Sequence, residues 1–312
     1  MNKKSALIKT GKAERKTEII FFIVYCCLFM FTLTLSAQTY SDLEHLDGYK
    51  TGVYYSKGNE ERAKTIAVRC DNVLAYYKKQ IEFEPSVKVL ILNPENWGKY
   101  TNFPVYGMPH YNDNKTLIIA SEDNDFWKSF IPPMDKLPDE LAKQITRTYT
   151  DTKGNLTMQA FFDLLAIHEL GHAYHFQAGL TMQRKWMGEL FANILLQTYI
   201  ADNEPGLLPA LLVFPKIVVD GGKAELKYTS LTDFESKYDE LGKQYPQNYG
   251  WYQCRLHLAA EQIYNTGRAE TFKKLWATLK TQKDILSDSD FATLLSNNVH
   301  QSVADVLLKW DE

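Results

Sequence analysis

Near the middle of the chain, His168-Glu169-Leu170-Gly171-His172 sits inside an apolar run that begins near Met158. The run reads as one helix over 157–178, stopped by Gly179, a residue suited to the left-handed position after a helix end. A helix this apolar must be buried, so its polar residues need partners. At α-helical pitch His168 and His172 lie one turn apart on one face, and both imidazoles can reach a single zinc ion. Glu169 follows the first of them and can take a proton from a water at that ion. The spacing nominates His168 and His172 as metal ligands and Glu169 as general base.

The start of the chain bears on compartment. Lys3, Lys4, Lys9, Lys12, Arg15 and Lys16 are set against Glu14 and Glu18, and an uncharged apolar run follows from Ile19 to Leu35, before Ser36-Ala37-Gln38. This order describes a secretory signal over residues 1–37, cleaved after Ala37, and hence a secreted or periplasmic protein. An uncleaved membrane anchor is the alternative, because the run reaches the lower edge of a spanning length. Cleavage strips six positive and two negative charges and moves the net charge from −3 to −7. That balance argues against nucleic acid or an anionic membrane surface as a partner. The remaining chain is long enough for a sizeable core. It keeps Cys70 and Cys254, for which a disulfide or two buried thiols are both open.

The expected fold class is α+β. A small α/β lobe with a short sheet spans 38–156, a mostly helical lobe spans 157–312, and the zinc site lies at their junction. In the first lobe, Asn59 is placed to cap a helix through Tyr77, and Val87–Leu92 and Thr116–Ala120 read as strands. In the second, helices are expected at about 184–202, 231–243, 249–265 and 268–280, then two short ones. Residues 204–230, with Pro205, Pro209, Pro215 and Gly221-Gly222, are the least readable part and are open to an excursion near the cleft.

Two histidines leave a catalytic zinc one protein ligand short. His175 lies nearly a turn beyond His172, too far along the axis to share its metal, and reads as a partly buried helix histidine. Glu189 lies on the next helix among apolar neighbours. Its segment, Trp186-Met187-Gly188-Glu189-Leu190-Phe191-Ala192, resembles the Trp-Leu-Asn-Glu-Gly-Phe-Ala signature of gluzincin aminopeptidases, and the HExxH helix is similar to that of the same superfamily, which includes thermolysin. The likeness is to peptidase MA-like zinc metallopeptidases of secreted bacterial proteins, over roughly 85–265. It implies Glu189 as the third zinc ligand and Asn193 as support for a ligand histidine. It also implies a tyrosine at a helix start to stabilise the oxyanion: Tyr249, with Tyr252 as the alternative bearer. Tyr106-Gly107-Met108-Pro109-His110, with the strand after it, stands where the family has its substrate-binding edge strand, which makes Gly107, Met108 and His110 candidate substrate contacts. The family's glutamate for a free amino terminus is replaced there by Pro and His.

The expectation is a secreted zinc peptidase acting on peptide or protein substrates. A zinc hydrolase of a non-peptide amide, or a binding protein that keeps the fold without turnover, are the competing readings.

Overall fold

The computed structural model describes residues 40–113 and 115–312. The expected signal segment, 1–37, lies outside them. Among the described residues no helix is long and apolar enough to cross a membrane.

Two uniformly apolar segments make the middle of the sheet. Lys88–Leu92 (β3) and Thr116–Ala120 (β5) pair in parallel, with Leu90 opposite Ile118, and nearly every residue in them is buried. Strands covered on both faces read as continuous apolar runs, which is why the sequence marks them. The rest of the sheet is short: Glu44–Leu46 (β1) is antiparallel to Gly52–Tyr55 (β2), β2 is parallel to β3, and His110–Tyr111 (β4) lies antiparallel to β5, giving the order β1-β2-β3-β5-β4. Segments of two to four residues hold too few positions for a period-2 pattern to register.

Helix α1 (Glu60–Ile81) crosses over between β2 and β3 and buries Ile66, Cys70, Leu74 and Tyr77. Asn59 stands at its N-cap, but its side chain makes no cap bond and instead donates to the Ser56 and Lys57 carbonyls. Glu60 and Glu61 supply the negative charge that its first turn favours. Asn93-Pro94, which ends β3, also starts a helix. The Asn93 side chain accepts from Asn96 N–H and Pro94 enters at the first position of α2 (Pro94–Tyr100). Two more helices, α3 (Asp125–Lys128) and α4 (Asp139–Tyr149), precede the second half of the chain.

From α5 (Gln159–Gln177) onward the chain is helical. It continues through α6 (Lys185–Asn203), α7 (Leu208–Asp220), α8 (Leu231–Gln244), α9 (Pro246–Thr281), α10 (Asp288–Asn298) and α11 (Gln301–Leu308). The fold is therefore α+β, and Asp42–Glu312 packs as one compact unit. Gly179 ends the α5 turn at φ +62, as its sequence position suggested. The least readable stretch holds a helix, α7, over 208–220. Pro209 sits at its tolerated first turn. Near Pro215 the Tyr149 hydroxyl is inserted into the helix, donating to the Ala210 carbonyl and accepting from Phe214 N–H. The two helices expected over 249–280 form one element, α9, broken only at Arg268 (φ 54, ψ −164).

Helix α5 is held between the sheet and the other helices. It packs against β4, β5 and α1, and also against α6 and α7. Its N-terminal part is pinned by a part-buried ion pair: Arg62 donates to Asp163 Oδ1 at 2.6 Å and to the Ala120 carbonyl at the end of β5. Cys70 and Cys254 are buried free thiols, so no bridge joins α1 to α9. Burial pushes the Cys70 thiol up to about 12, which makes it inert.

Candidate metal centre

The site depends on how closely α5 and α6 approach. A Cβ on Gly171 would lie 2.7 Å from Ala192 Cα, so only glycine permits this crossing. The contact falls between His168 and His172 on α5, and beside Glu189 and Asn193 on α6. One helix therefore presents two imidazoles to a carboxylate on the other.

The polar atoms converge. His168 Nε2 and His172 Nε2 are 3.1 Å apart, and Glu189 Oε2 lies 3.2 Å from the first and 3.6 Å from the second. Metal bonds of about 2.0–2.1 Å at the tetrahedral angle place donor atoms roughly 3.3–3.4 Å apart. The triangle has the edges of such a coordination tetrahedron. His168, Glu169 and His172 also offer ligand atoms within 4.8 Å of one another, a group that can hold a metal ion. The Glu189 oxygen approaches both imidazoles more closely than that limit requires.

Each ligand-type side chain is oriented from behind. His168 Nδ1 lies 2.8 Å from Asn193 Oδ1, which can only accept, so the proton sits on Nδ1 and Nε2 is left free. His172 Nδ1 is 2.9 Å from His175 Nε2. Glu189 is gripped at both oxygens: Tyr238 donates to Oε1 at 2.5 Å and Gln253 Nε2 donates to Oε2 at 3.0 Å. Nothing in the sequence marked Tyr238, which stands on α8 just after a kink at Lys237. Gln253 was within reach of sequence reasoning, since it lies one helical turn past Tyr249 on the same face.

The electrostatics set the two carboxylates apart. Burial pushes the Glu169 carboxyl up to about 8, partly opposed by the His168 imidazole and reinforced by the Glu189 charge. Burial alone would also raise Glu189, but His172 and His168 beside it outweigh that and hold it well below the usual range. Burial keeps His175 and His257 neutral, each down to about 3.

Of the two candidate tyrosines, Tyr249 faces the cluster. Its ring meets that of Tyr238 edge-on at 6.0 Å, and burial, then the Glu189 charge, raises its phenol. Tyr252 does not: its hydroxyl donates to the Ser230 carbonyl at 2.8 Å and its ring stacks on Trp310.

The upstream candidates lie in the turn before β4 and at the start of that strand. The Gly107 carbonyl accepts from Trp127 Nε1. His110 is tied at both nitrogens, to the Met108 carbonyl at 2.9 Å and the Thr101 hydroxyl at 2.7 Å, and it stacks on Phe103. Among the described hydrogen bonds, none joins Gly107, Met108 or His110 to the histidine–glutamate cluster. The sheet edge is β4, with Thr116–Ala120 one strand inside it. β4 packs against α5 and carries Tyr111 as its second residue. Burial, then the Glu169 charge, raises its phenol, and its hydroxyl has no hydrogen-bond partner among the described residues.

Compared with known proteins, the chain matches no family model, no curated protein and no solved structure.

Proposed function

We propose that this chain is a zinc-dependent hydrolase of peptide bonds. His168, His172 and Glu189 hold the ion, Glu169 is the general base and Tyr249 the oxyanion donor. One observation carries the reading: two Nε2 atoms and one carboxylate oxygen from adjacent helices stand 3.1, 3.2 and 3.6 Å apart. Two histidines and one carboxylate are the ligand set of a hydrolytic zinc site, and the gluzincin resemblance of 168–172 and 186–192 supports the same assignment. The site then lies where α5 joins the sheet to the helices.

Zinc, when bound, polarises the scissile carbonyl and makes a water acidic enough to attack it. Glu169 is half-buried beside His168, and burial raises its carboxyl. A carboxyl whose affinity for a proton is raised by burial is suited to take the proton of the attacking water and return it to the leaving amine. Tyr249 stays protonated throughout the physiological range and donates a hydrogen bond to the oxygen that gains charge. Asn193 holds the His168 ring, while Tyr238 and Gln253 hold Glu189. The first 37 residues, read as a secretory signal, support action outside the cytoplasm on peptides or proteins.

The deciding experiment pairs metal analysis with hydrolysis of a mixed peptide library by the purified protein. About one zinc per chain and cleavage that a chelator abolishes are expected. Tight zinc uptake with every peptide left intact would instead favour a binding protein or a hydrolase of another amide.

A further inference from the structure

We propose that His175 is a positioning residue for the metal centre: its Nε2 accepts the Nδ1 proton of His172 and thereby aims His172 Nε2 at His168 and Glu189. This rests on the reading of His172 as a ligand.

The argument is one of tautomers. A neutral imidazole carries one N–H, so a ring that ligates through Nε2 must keep its proton on Nδ1. His168 satisfies this rule with the Asn193 carbonyl oxygen. Among the described residues no carbonyl or carboxylate bonds to His172 Nδ1; what lies there, at 2.9 Å, is His175 Nε2. Two imidazole nitrogens can bond only when one is protonated and the other bare. The proton belongs to His172 Nδ1, so His175 Nε2 must be bare and His175 must carry its own proton on Nδ1.

Its surroundings hold His175 in this pose. The side chain is only 5% exposed, with the Phe176 ring 4.2 Å away and the Phe191 ring meeting it edge-on at 5.9 Å. Because α5 carries both histidines three residues apart, the helix itself fixes their spacing. Helical spacing put His175 too far along to be a ligand of the same ion, and the structure agrees: its Nε2 meets the back of the His172 ring. A neutral imidazole as acceptor orients His172 without adding a third acidic group beside Glu189 and Glu169.

The test compares zinc affinity, by competition with a chromophoric chelator, in the purified parent, His175→Leu and His175→Gln. Leu removes the acceptor, and affinity should fall by about 10–100-fold. Gln offers a carbonyl oxygen at similar reach and should recover most of the loss. Parental affinity in His175→Leu, or a loss in His175→Gln as large as in His175→Leu, overturns the proposal. A parent that takes up no zinc overturns the metal reading itself, so the two failures are distinct. If His175→Leu does not fold, imidazole nitrogen NMR of the zinc-loaded parent decides. A bare Nε2 on His175 supports the assignment and a protonated one overturns it.

Discussion

The Tyr238 hydroxyl donates to Glu189 Oε1 at 2.5 Å, which leaves Oε2 as the oxygen that faces both imidazoles. A carboxylate can offer either oxygen, or both, to a metal. Here Tyr238 holds Oε1 while Gln253 steadies Oε2 from the side, so Glu189 is set up to bind through Oε2 alone.

Tyr238→Phe deletes that hydroxyl and keeps the ring packed on Phe234. Oε1 is then left buried without its donor and Glu189 becomes freer to turn. Zinc affinity should fall about 10-fold or more, with the far-ultraviolet spectrum unchanged. Competition titration checks it, and an unchanged affinity would show that Gln253 alone orients the carboxylate.

Glu169→Gln separates holding from chemistry. The amide cannot accept the water's proton, while His168, His172 and Glu189 are untouched. Zinc content should stay at the parental level and kcat should fall by about 10²–10⁴-fold. Retention of parental kcat would remove Glu169 from the base role.

How far the sequence disclosed this site follows from geometry. A helix puts His168 and His172 on one face with Glu169 beside the first of them, so these three were legible directly. Glu189 and Asn193 were legible only through the resemblance of their segment, because no local pattern says which helix packs on α5. Tyr238 was invisible: it is 49 residues from Glu189, and its approach follows the kink at Lys237. Gly107, Met108 and His110 were nominated through the resemblance of their segment to a substrate-binding edge strand, and the hydrogen bonds of Gly107 and His110 hold the turn and β4 in place. In the fold, the long apolar strands and periodic helices were readable. Helix α7 was hidden by its prolines, because the hydroxyl inserted beside Pro215 comes from Tyr149, 61 residues from the carbonyl it meets.

The crossing of α5 over α6 predicts a sharp steric response. Gly171→Ala puts a methyl 2.7 Å from Ala192 Cα and 2.9 Å from its Cβ, where backbone must move. Overpacking of this kind costs about 1–3 kcal/mol, and pushing the helices apart also lengthens the distances from the imidazoles to Glu189. Urea unfolding of the metal-free protein should show the loss, and zinc affinity should drop with it. A stable variant with weakened zinc binding would mean that the helices yield locally at the site. Full stability with full affinity would contradict the close approach.

The acid limb of stability should report His257, which is buried on α9 with its ring 6.2 Å from that of His168. Burial takes its pKa down to about 3 in the folded protein, against roughly 6.5 when unfolded. Between these values the unfolded chain binds a proton that the folded chain refuses, so stability rises with pH through this window. The contribution is complete above about 6.5 and is lost as pH falls toward 3, at up to roughly 1.4 kcal/mol per pH unit. His175, also near 3, acts in the same direction. Replacing His257 with glutamine removes one of these protons. Urea midpoints of the metal-free protein, followed from pH 7 to 4.5, should therefore fall less steeply in His257→Gln than in the parent. Equal slopes for the two would show that His257 is protonated in the fold, paired with a group that compensates its charge.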